Sequence, residues 1–304
     1  MVIASRPSGA PVEVFSARNL PTTGAAGGRA RAAVTLSAIA LVAMAAASAA
    51  GLLLDGLYQD PESTASMLRG YDLVTLLVAV PLLATTLWRM RRGSVRAQLV
   101  WIGVLTYGVY NYAVYVFGSA FNDLFLVHIV AFSTSLSALV LALSTLDTAG
   151  IAQRISPRTP ARWLSGLLAF LALGLGGMWI LNSVRFAVTD AAPPGSALVE
   201  TPTVTHLSYA LDLSLLVPAY TVAAVLLWRR AAWGYIAAAA VLVSGTIHQL
   251  GYLVALPFQV AAGVPDATAV DPGEPPIVAA FLVSTAALLA GVRRSRQQRA
   301  HAVV

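Results

Sequence analysis

The stretch that decides the fold is His206–Tyr252, which reads HLSYALDLSLLVPAYTVAAVLLWRRAAWGYIAAAAVLVSGTIHQLGY. It consists of two apolar runs joined at an arginine pair, and each run is long enough to cross a bilayer as a helix. Asp212, His206 and His248 lie near the same end of the two runs. Because a carboxylate in lipid is costly, an acid at such a position usually has a partner and a function. The stretch therefore predicts a membrane-embedded helical hairpin with a candidate site toward one end.

The composition extends this prediction to the whole chain. Of the 304 residues, 58% are hydrophobic and 11% are charged, and the mean hydropathy is +0.76. A soluble domain carries about 25% charged residues, so the sequence predicts an all-α, multi-pass membrane protein. The chain has no cysteine and no lysine. Disulfides, thiolate ligands, a retinal Schiff base and a P-loop are therefore excluded.

Eight transmembrane helices are predicted, and the arginines orient them. The spans cover approximately residues 32–54, 72–89, 98–118, 124–146, 163–184, 206–228, 232–256 and 275–292. Of the 19 arginines, all but Arg69 and Arg185 fall on one side of these spans. The positive-inside rule makes that side cytoplasmic and places both termini there. We expect a bacterial cytoplasmic (inner) membrane protein, and topology explains the net charge of +6 better than nucleic-acid binding does.

The ends of the chain are predicted to be tails. Residues 1–28 are polar, without periodicity, and indicate a disordered cytoplasmic tail, and residues 296–304 form a second cytoplasmic tail. The first apolar run ends in AAASAAG at 45–51, which could pass for a signal-peptide cleavage site. Its length and long polar lead favour an uncleaved first helix.

An internal repeat is indicated by two similar segments. Asp72–Arg89 aligns without a gap on Asp212–Arg229, and both segments begin Asp-Leu and end Leu-Trp-Arg. An offset of four helices gives parallel copies, so the chain is predicted to contain two four-helix repeats, residues 29–150 and 151–295. The competing interpretation is that Asp and Trp-Arg are ordinary anchors at the two membrane interfaces.

Polar residues of the predicted spans gather in the outer halves, which predicts a polar cavity open to the extracytoplasmic side. Asp212 is the candidate catalytic acid and His248 its candidate partner, and Arg185 could pair with Asp212. The candidate ligand-binding residues are Tyr107, Asn111, His128, Asn182, Arg185, His206, Tyr209, Gln249 and Tyr252. The alternatives are an aromatic belt for most of the tyrosines and solvated helix ends for Asp72 and His206.

Four functions are compatible with this pattern. The preferred one is binding or catalysis, from the outer side only, of a small or lipid-like ligand. A proton-coupled transporter is the first alternative, although the inner halves hold no acid or histidine. The second is an enzyme that uses Asp212 as an acid on an isoprenoid or lipid, as membrane-bound terpene cyclases do. The third is a His-ligated haem or metal protein, for which no local ligand pair exists. Beyond the lipid bilayer, no motif identifies a cofactor, a partner or an oligomeric state.

Overall fold

The computed structural model describes residues 25–191 and 196–293, and the regular secondary structure of these residues is helical. The helices are α1 (Ala25–Leu53), α2 (Glu62–Met90), α3 (Val95–Phe117), α4 (Phe125–Thr145), α5 (Thr148–Arg154), α6 (Ala161–Thr189), α7 (Pro202–Trp228), α8 (Ala232–Ala261) and α9 (Glu274–Ala290). The predicted tails lie outside the described residues, except that α1 begins at Ala25. The predicted boundary between the two units, at residue 150, falls inside α5.

Seven of the described helices are long and apolar enough to cross a membrane, namely α1 to α4 and α6 to α8. The shortest of them, α4, has 21 residues, which corresponds to about 31 Å at the rise of an α-helix. Helix α9 coincides with the eighth predicted span but has only 17 residues, or about 25 Å. A hydrocarbon core is about 30 Å thick, so length and composition alone qualify seven helices rather than eight.

The distribution of side chains is that of a protein surrounded by lipid. Large apolar side chains such as Leu126, Phe170 and Leu173 are exposed on the outside of the helices. Polar side chains such as Asp72 and Gln259 are buried between the helices. A water-soluble protein would show the reverse preference. The described part of the chain is therefore a multi-pass helical bundle of the membrane type.

Helix α8 lies at the centre of the bundle. It packs along α2 and α3 on one side and along α7 and α9 on the other. Small residues allow this approach, because a Cβ added to Gly70 would lie 2.5 Å from the Ala255 backbone, and one on Gly103 would lie 2.4 Å from Val243. Around this centre, α1 packs along α4, and α6 packs along α7.

The connections meet at two ends of different charge. The arginine-rich end contains the connections 91–94, 146–160 and 229–231; the acidic end contains 54–61, 118–124, 190–201 and 262–273. At the arginine-rich end, the Arg96 guanidinium donates two hydrogen bonds to the Val292 carbonyl, at 2.6 and 3.0 Å. At the acidic end, the Asp60 carboxylate accepts a hydrogen bond of 2.8 Å from the Ala120 amide. The arginine-rich end is thus held together across the two halves of the chain, and the acidic end is held together between two connections of the first half.

Helices α2 and α7 each contain a π-helical segment, at Thr75–Ala79 and Asp212–Leu216. Pro81 and Pro218 each follow two residues after the segment. A proline ring would meet the carbonyl four residues earlier in an α-helix, and a wider turn in front of it moves that carbonyl aside. Each helix is therefore locally widened within its apolar length.

Helices α2 and α7 share a π-helical segment and a proline, but these features differ in register relative to the aspartates. Asp72 and Asp212 are 140 residues apart, whereas Pro81 and Pro218 are 137 apart. The π-helical segment therefore begins at the aspartate itself in α7 but about one helical turn after the aspartate in α2. The outer pairs of the predicted repeat also differ, because α1 packs closely along α4 whereas α6 only touches α9. The halves share local features but build different surroundings for their aspartates.

Candidate functional site

A cavity of about 190 Å³ lies at the acidic end of the bundle, between α2, α3, α7 and α8, with α6 and the connection before α7 completing its wall. A cavity of about 150 Å³ already accommodates benzene, so the volume suits a small molecule. Its polar and aromatic lining consists of Tyr71, Tyr110, Asn111, Tyr115, Trp179, Ser196, Glu200, Thr205, Ser208, Tyr209, Asp212, His248 and Tyr252.

Asp212 is the first residue of the π-helical segment in α7, and only 7% of it is exposed. The Tyr110 hydroxyl donates to Oδ1 at 2.6 Å, and the Trp179 indole Nε1 donates to Oδ2 at 2.8 Å. Each carboxylate oxygen keeps a further lone pair for another donor. Since Tyr110 belongs to α3 and Trp179 to α6, the site is assembled from both predicted repeat units.

Two further contacts hold the Trp179 side of the cavity. The rings of Trp179 and Tyr209 are stacked, with centroids 4.0 Å apart and an interplanar angle of 31°. The Asn182 side chain donates a hydrogen bond of 3.1 Å to the Tyr209 hydroxyl. A stacked pair fixed at both its polar ends has few alternative rotamers, so it presents a defined aromatic wall.

His248 forms the wall opposite, between two tyrosine rings. Its ring centroid lies 5.2 Å from that of Tyr71 and 5.0 Å from that of Tyr110, the latter in an edge-on arrangement. His248 Nδ1 is buried and finds no hydrogen-bond partner among the described residues, and the same holds for Asn111 Nδ2. Unpaired buried polar atoms are uncommon and costly, and the described residues contain others outside the cavity wall, such as both ring nitrogens of His128.

The connection that completes the wall is fixed by Gln259 of α8, which is fully buried. Its side-chain amide donates to the carbonyls of Ser63 and Val199, both at 2.8 Å, and its Oε1 accepts from the Val199 amide at 2.9 Å. Gln259 thereby joins this connection to the start of α2. The anchored segment places Glu200 at the rim of the cavity.

Glu200 is the second carboxylate of the cavity. Burial raises the pKa of Glu200; a hydrogen bond from Thr205, at 3.4 Å, opposes this rise, and the negative charge of Asp212 adds to it. The influence of Asp212 means that the two carboxylates lie in the same electrostatic environment. No arginine lines the described cavity wall.

A second buried acid lies beside the cavity without opening into it. Asp72 is only 1% exposed and accepts hydrogen bonds from the hydroxyls of Tyr58, at 2.5 Å, and Tyr115, at 3.0 Å. The ring of His128 lies 4.9 Å from that of Tyr115, and neither of its nitrogens has a partner among the described residues. We call Tyr58, Asp72, Tyr115 and His128 the Asp72 cluster. The expectation that Asp72 is a solvated helix end is wrong, because α2 begins ten residues earlier, at Glu62.

Five of the residues predicted from the sequence are brought together in the cavity wall: Asn111, Tyr209, Asp212, His248 and Tyr252. Tyr252 also donates a hydrogen bond of 2.9 Å to Asp271 in the following connection. His248 and Asp212 share no hydrogen bond. Tyr110 lies between them: its ring contacts the His248 ring, and its hydroxyl donates a hydrogen bond to Asp212.

The other six predicted residues lie elsewhere. Tyr107 is fully buried and shares a hydrogen bond of 2.7 Å with Thr75, and Gln249 donates to Glu274 at 2.6 Å. His128 belongs to the Asp72 cluster, and Asn182 supports Tyr209 from behind. Arg185 and His206 are exposed. The carboxylate of Asp212 accepts hydrogen bonds from a phenol and an indole, in place of the expected Arg185 guanidinium.

Several cavity residues were not among the sequence candidates, chiefly Tyr71, Tyr110, Trp179 and Glu200. The candidates Tyr107 and Asn111 are four residues apart and share one face of α3, whereas Tyr110 lies one position before Asn111 on the neighbouring face. Trp179 has the signature of an interfacial aromatic residue. Glu200 lies before the predicted span 206–228. The structure starts the helix at Pro202, which brings Glu200 next to the cavity.

The described residues do not support a histidine-ligated metal centre. No group of three or more His, Asp or Glu side chains that could hold a metal ion occurs within 25–191 and 196–293. The three membrane histidines lie in different environments, since His128 is sealed in the Asp72 cluster, His206 is exposed and His248 lines the cavity.

Comparison with known proteins gives no relative: no family model, no curated protein and no solved structure matches the chain. The function is therefore argued from the cavity itself.

Proposed function

We propose that this chain is a membrane receptor or binding protein that takes up a small ligand in the cavity from the acidic end, which faces away from the cytoplasm. The observation that carries the proposal is a cavity whose wall holds the Asp212 carboxylate, bonded by two neutral donors, among aromatic rings. A ligand with its own polar groups bonds to the remaining lone pairs of this carboxylate, whereas an apolar filling would leave them unpaired.

The proposed access is from one side. The lining residues all lie toward the acidic ends of their helices. Toward the arginine-rich end the bundle is filled, with Val243 of α8 against Gly103 of α3 and Phe281 of α9 against Gly245. A binding or catalytic site needs a single entrance, which agrees with this distribution.

The membrane arrangement that accompanies this function is the one expected from the sequence. We propose eight crossings, with the short helix α9 as the last, two parallel four-helix units, cytoplasmic termini and a bacterial inner membrane. The support is the arginine distribution and the shared π-helical segment and proline of α2 and α7.

Cysteine labelling tests access and orientation together, because the natural chain has no cysteine. Ser208 lines the cavity four residues before Asp212, Thr268 is exposed at the acidic end, and Gln153 is exposed at the arginine-rich end. Each is replaced singly by cysteine and treated in intact cells with a membrane-impermeant methanethiosulfonate. We expect labelling of Ser208→Cys and Thr268→Cys, and labelling of Gln153→Cys only after permeabilisation.

The matched control is Ser37→Cys, at a fully buried serine that accepts a hydrogen bond of 2.9 Å from Trp101. It should remain unlabelled in every condition. Failure of Ser208→Cys to react while Thr268→Cys reacts would mean that the cavity is not open to that side. Reaction of Gln153→Cys in intact cells would reverse the proposed orientation.

Transport is the second candidate, favoured by the widened, proline-containing turns in α2 and α7. Interrupted helices in corresponding positions of two halves often mark the moving parts of a transporter. Flux of a bound ligand into proteoliposomes, abolished by Asp212→Asn, would support transport. Binding without flux would favour the one-sided function.

A further inference from the structure

The cavity combines two carboxylates with aromatic rings and has no cationic residue in its described wall. Asp212 and Glu200 contribute the acids, and six aromatic rings surround them: Tyr71, Tyr110, Tyr115, Trp179, Tyr209 and Tyr252. The hydrogen bonds that Asp212 accepts come from neutral groups, a phenol and an indole, and Glu200 accepts one from the Thr205 hydroxyl.

Such a wall favours a positively charged guest. Two carboxylates in a poorly solvated space repel each other, and neutral donors do not cancel their charge. The faces of tyrosine and tryptophan carry partial negative charge and attract ammonium groups. An anion would meet both acids without a compensating base, and a purely apolar guest would leave their negative charges uncompensated.

Two further residues of the wall refine the chemistry. The Asn111 side chain carries an amide donor, which suits an acceptor oxygen on the guest. The His248 ring accepts from a guest N–H or O–H through whichever of its nitrogens carries no proton. A hydroxyl or carbonyl group beside a cationic nitrogen meets both requirements.

Resting on the proposed function, we propose that the ligand is a small organic cation, an amine or quaternary ammonium with a neighbouring oxygen, held by Asp212 and Glu200 inside the aromatic wall. The volume of about 190 Å³ limits it to a small molecule. Its charged nitrogen lies near the acids and its oxygen lies near Asn111.

The first test measures the electrostatic potential in the cavity. Ser208→Cys is treated in intact cells with a cationic trimethylammonioethyl methanethiosulfonate and with its anionic sulfonatoethyl counterpart. Relative to Thr268→Cys, we expect the ratio of cationic to anionic labelling rates to be higher by about tenfold. Asp212→Asn and, separately, Glu200→Gln in the Ser208→Cys background should bring the ratio toward that of Thr268→Cys.

The second test uses a pair of probes of the same shape. Choline and 3,3-dimethylbutan-1-ol differ in the charge of one central atom, and both carry a hydroxyl. We expect choline to slow the labelling of Ser208→Cys at least about tenfold more effectively than the neutral alcohol, and to have no effect on Thr268→Cys. Equal protection by both probes would overturn the cationic assignment.

The outcomes separate the two proposals. Absence of any labelling at Ser208→Cys contradicts the accessible cavity itself. Labelling with no charge preference, or protection by the neutral alcohol alone, leaves the accessible cavity in place and overturns the cationic ligand. Glu200 lies in a connection rather than in a helix, so Glu200→Gln is expected to disturb folding less than Asp212→Asn does. It therefore provides the test if Asp212→Asn does not fold.

Discussion

The aspartates Asp72 and Asp212 occupy corresponding places in two similar sequence segments but have different surroundings. Both are buried in helices that contain a π-helical segment, and both accept two hydrogen bonds from aromatic donors. Asp72 is sealed inside protein, whereas Asp212 lies at the edge of a cavity. This difference is the basis for proposing that Asp212, and not Asp72, is available to a ligand.

The difference comes from the neighbours rather than from the aspartates. On the Asp72 side, α1 approaches so closely that a Cβ on Gly51 would lie 2.1 Å from the carboxylate, and Tyr58 closes over it. On the Asp212 side, α6 contributes Trp179 but does not fill the space next to the carboxylate, and this space is the cavity. Helix α3 serves both sites, since Tyr115 donates to Asp72 and Tyr110 donates to Asp212.

The largest effect is expected where α1 meets Asp72. In Gly51→Val the new side chain overlaps the Asp72 carboxylate and the Tyr58 hydroxyl, and the fold loses about 3 kcal/mol. The measurement is equilibrium unfolding in mixed SDS and neutral detergent micelles. The control is Gly174→Val in α6, where an added Cβ has no neighbour within 4 Å. Equal stability of the two variants would contradict the close packing around Asp72.

The next effect compares the aspartates directly. Asp72→Ala removes the carboxylate that the buried Tyr58 hydroxyl donates to and should cost about 2 kcal/mol in the same unfolding assay. Asp212→Ala should cost less than about 1 kcal/mol, because water in the cavity can bond to Tyr110 and Trp179. The opposite ranking would remove the distinction between a structural and an accessible acid.

A smaller effect concerns the connection over the cavity. Gln259→Ala removes three hydrogen bonds that hold Val199 and Ser63, and we expect a loss of between about 1 and 2 kcal/mol. Faster labelling of Ser208→Cys should accompany it, because the wall is released. The control is Gln249→Ala, on the same helix, which removes a bond to Glu274 and leaves that wall fixed. Unchanged labelling in Gln259→Ala would show that the connection does not limit access.

Hydropathy predicted the helical membrane fold because it is a local property of the chain. The prediction went wrong where helices extend beyond their apolar runs. Helix α2 begins at Glu62 rather than at residue 72, since residues of mixed polarity continue the helix when they pack on α8. That extension places Asp72 inside protein, and no periodicity in the apolar run alone indicates it.

The site was only partly predictable, because its geometry depends on contacts between distant helices. Asp212, His248 and Asn111 were identified by their unfavourable burial in lipid. The two residues that donate hydrogen bonds to Asp212 were not identified, because Tyr110 and Trp179 resemble the aromatic residues common at membrane interfaces. Which tyrosine reaches which aspartate is decided by how α3 is rotated between α2 and α7, and that rotation is a property of the packed bundle.

The smallest expected effect is the pH dependence contributed by Glu200. Burial and the charge of Asp212 raise the pKa of Glu200 above its ordinary 4.5, so the folded state binds this proton more tightly than the unfolded state does. The corresponding stabilisation is complete below pH 4.5 and is lost as pH rises through the folded pKa. Thermal unfolding from pH 4 upward should therefore show a falling Tm that is flatter in Glu200→Gln and unchanged in Glu62→Gln, at an exposed glutamate. A cationic guest should reverse the slope, because it stabilises the ionised carboxylate. Equal slopes in the wild type and in Glu200→Gln would mean that the Glu200 carboxyl does not bind its proton more tightly in the folded state, which would contradict the proposed pair of neighbouring, poorly solvated acids.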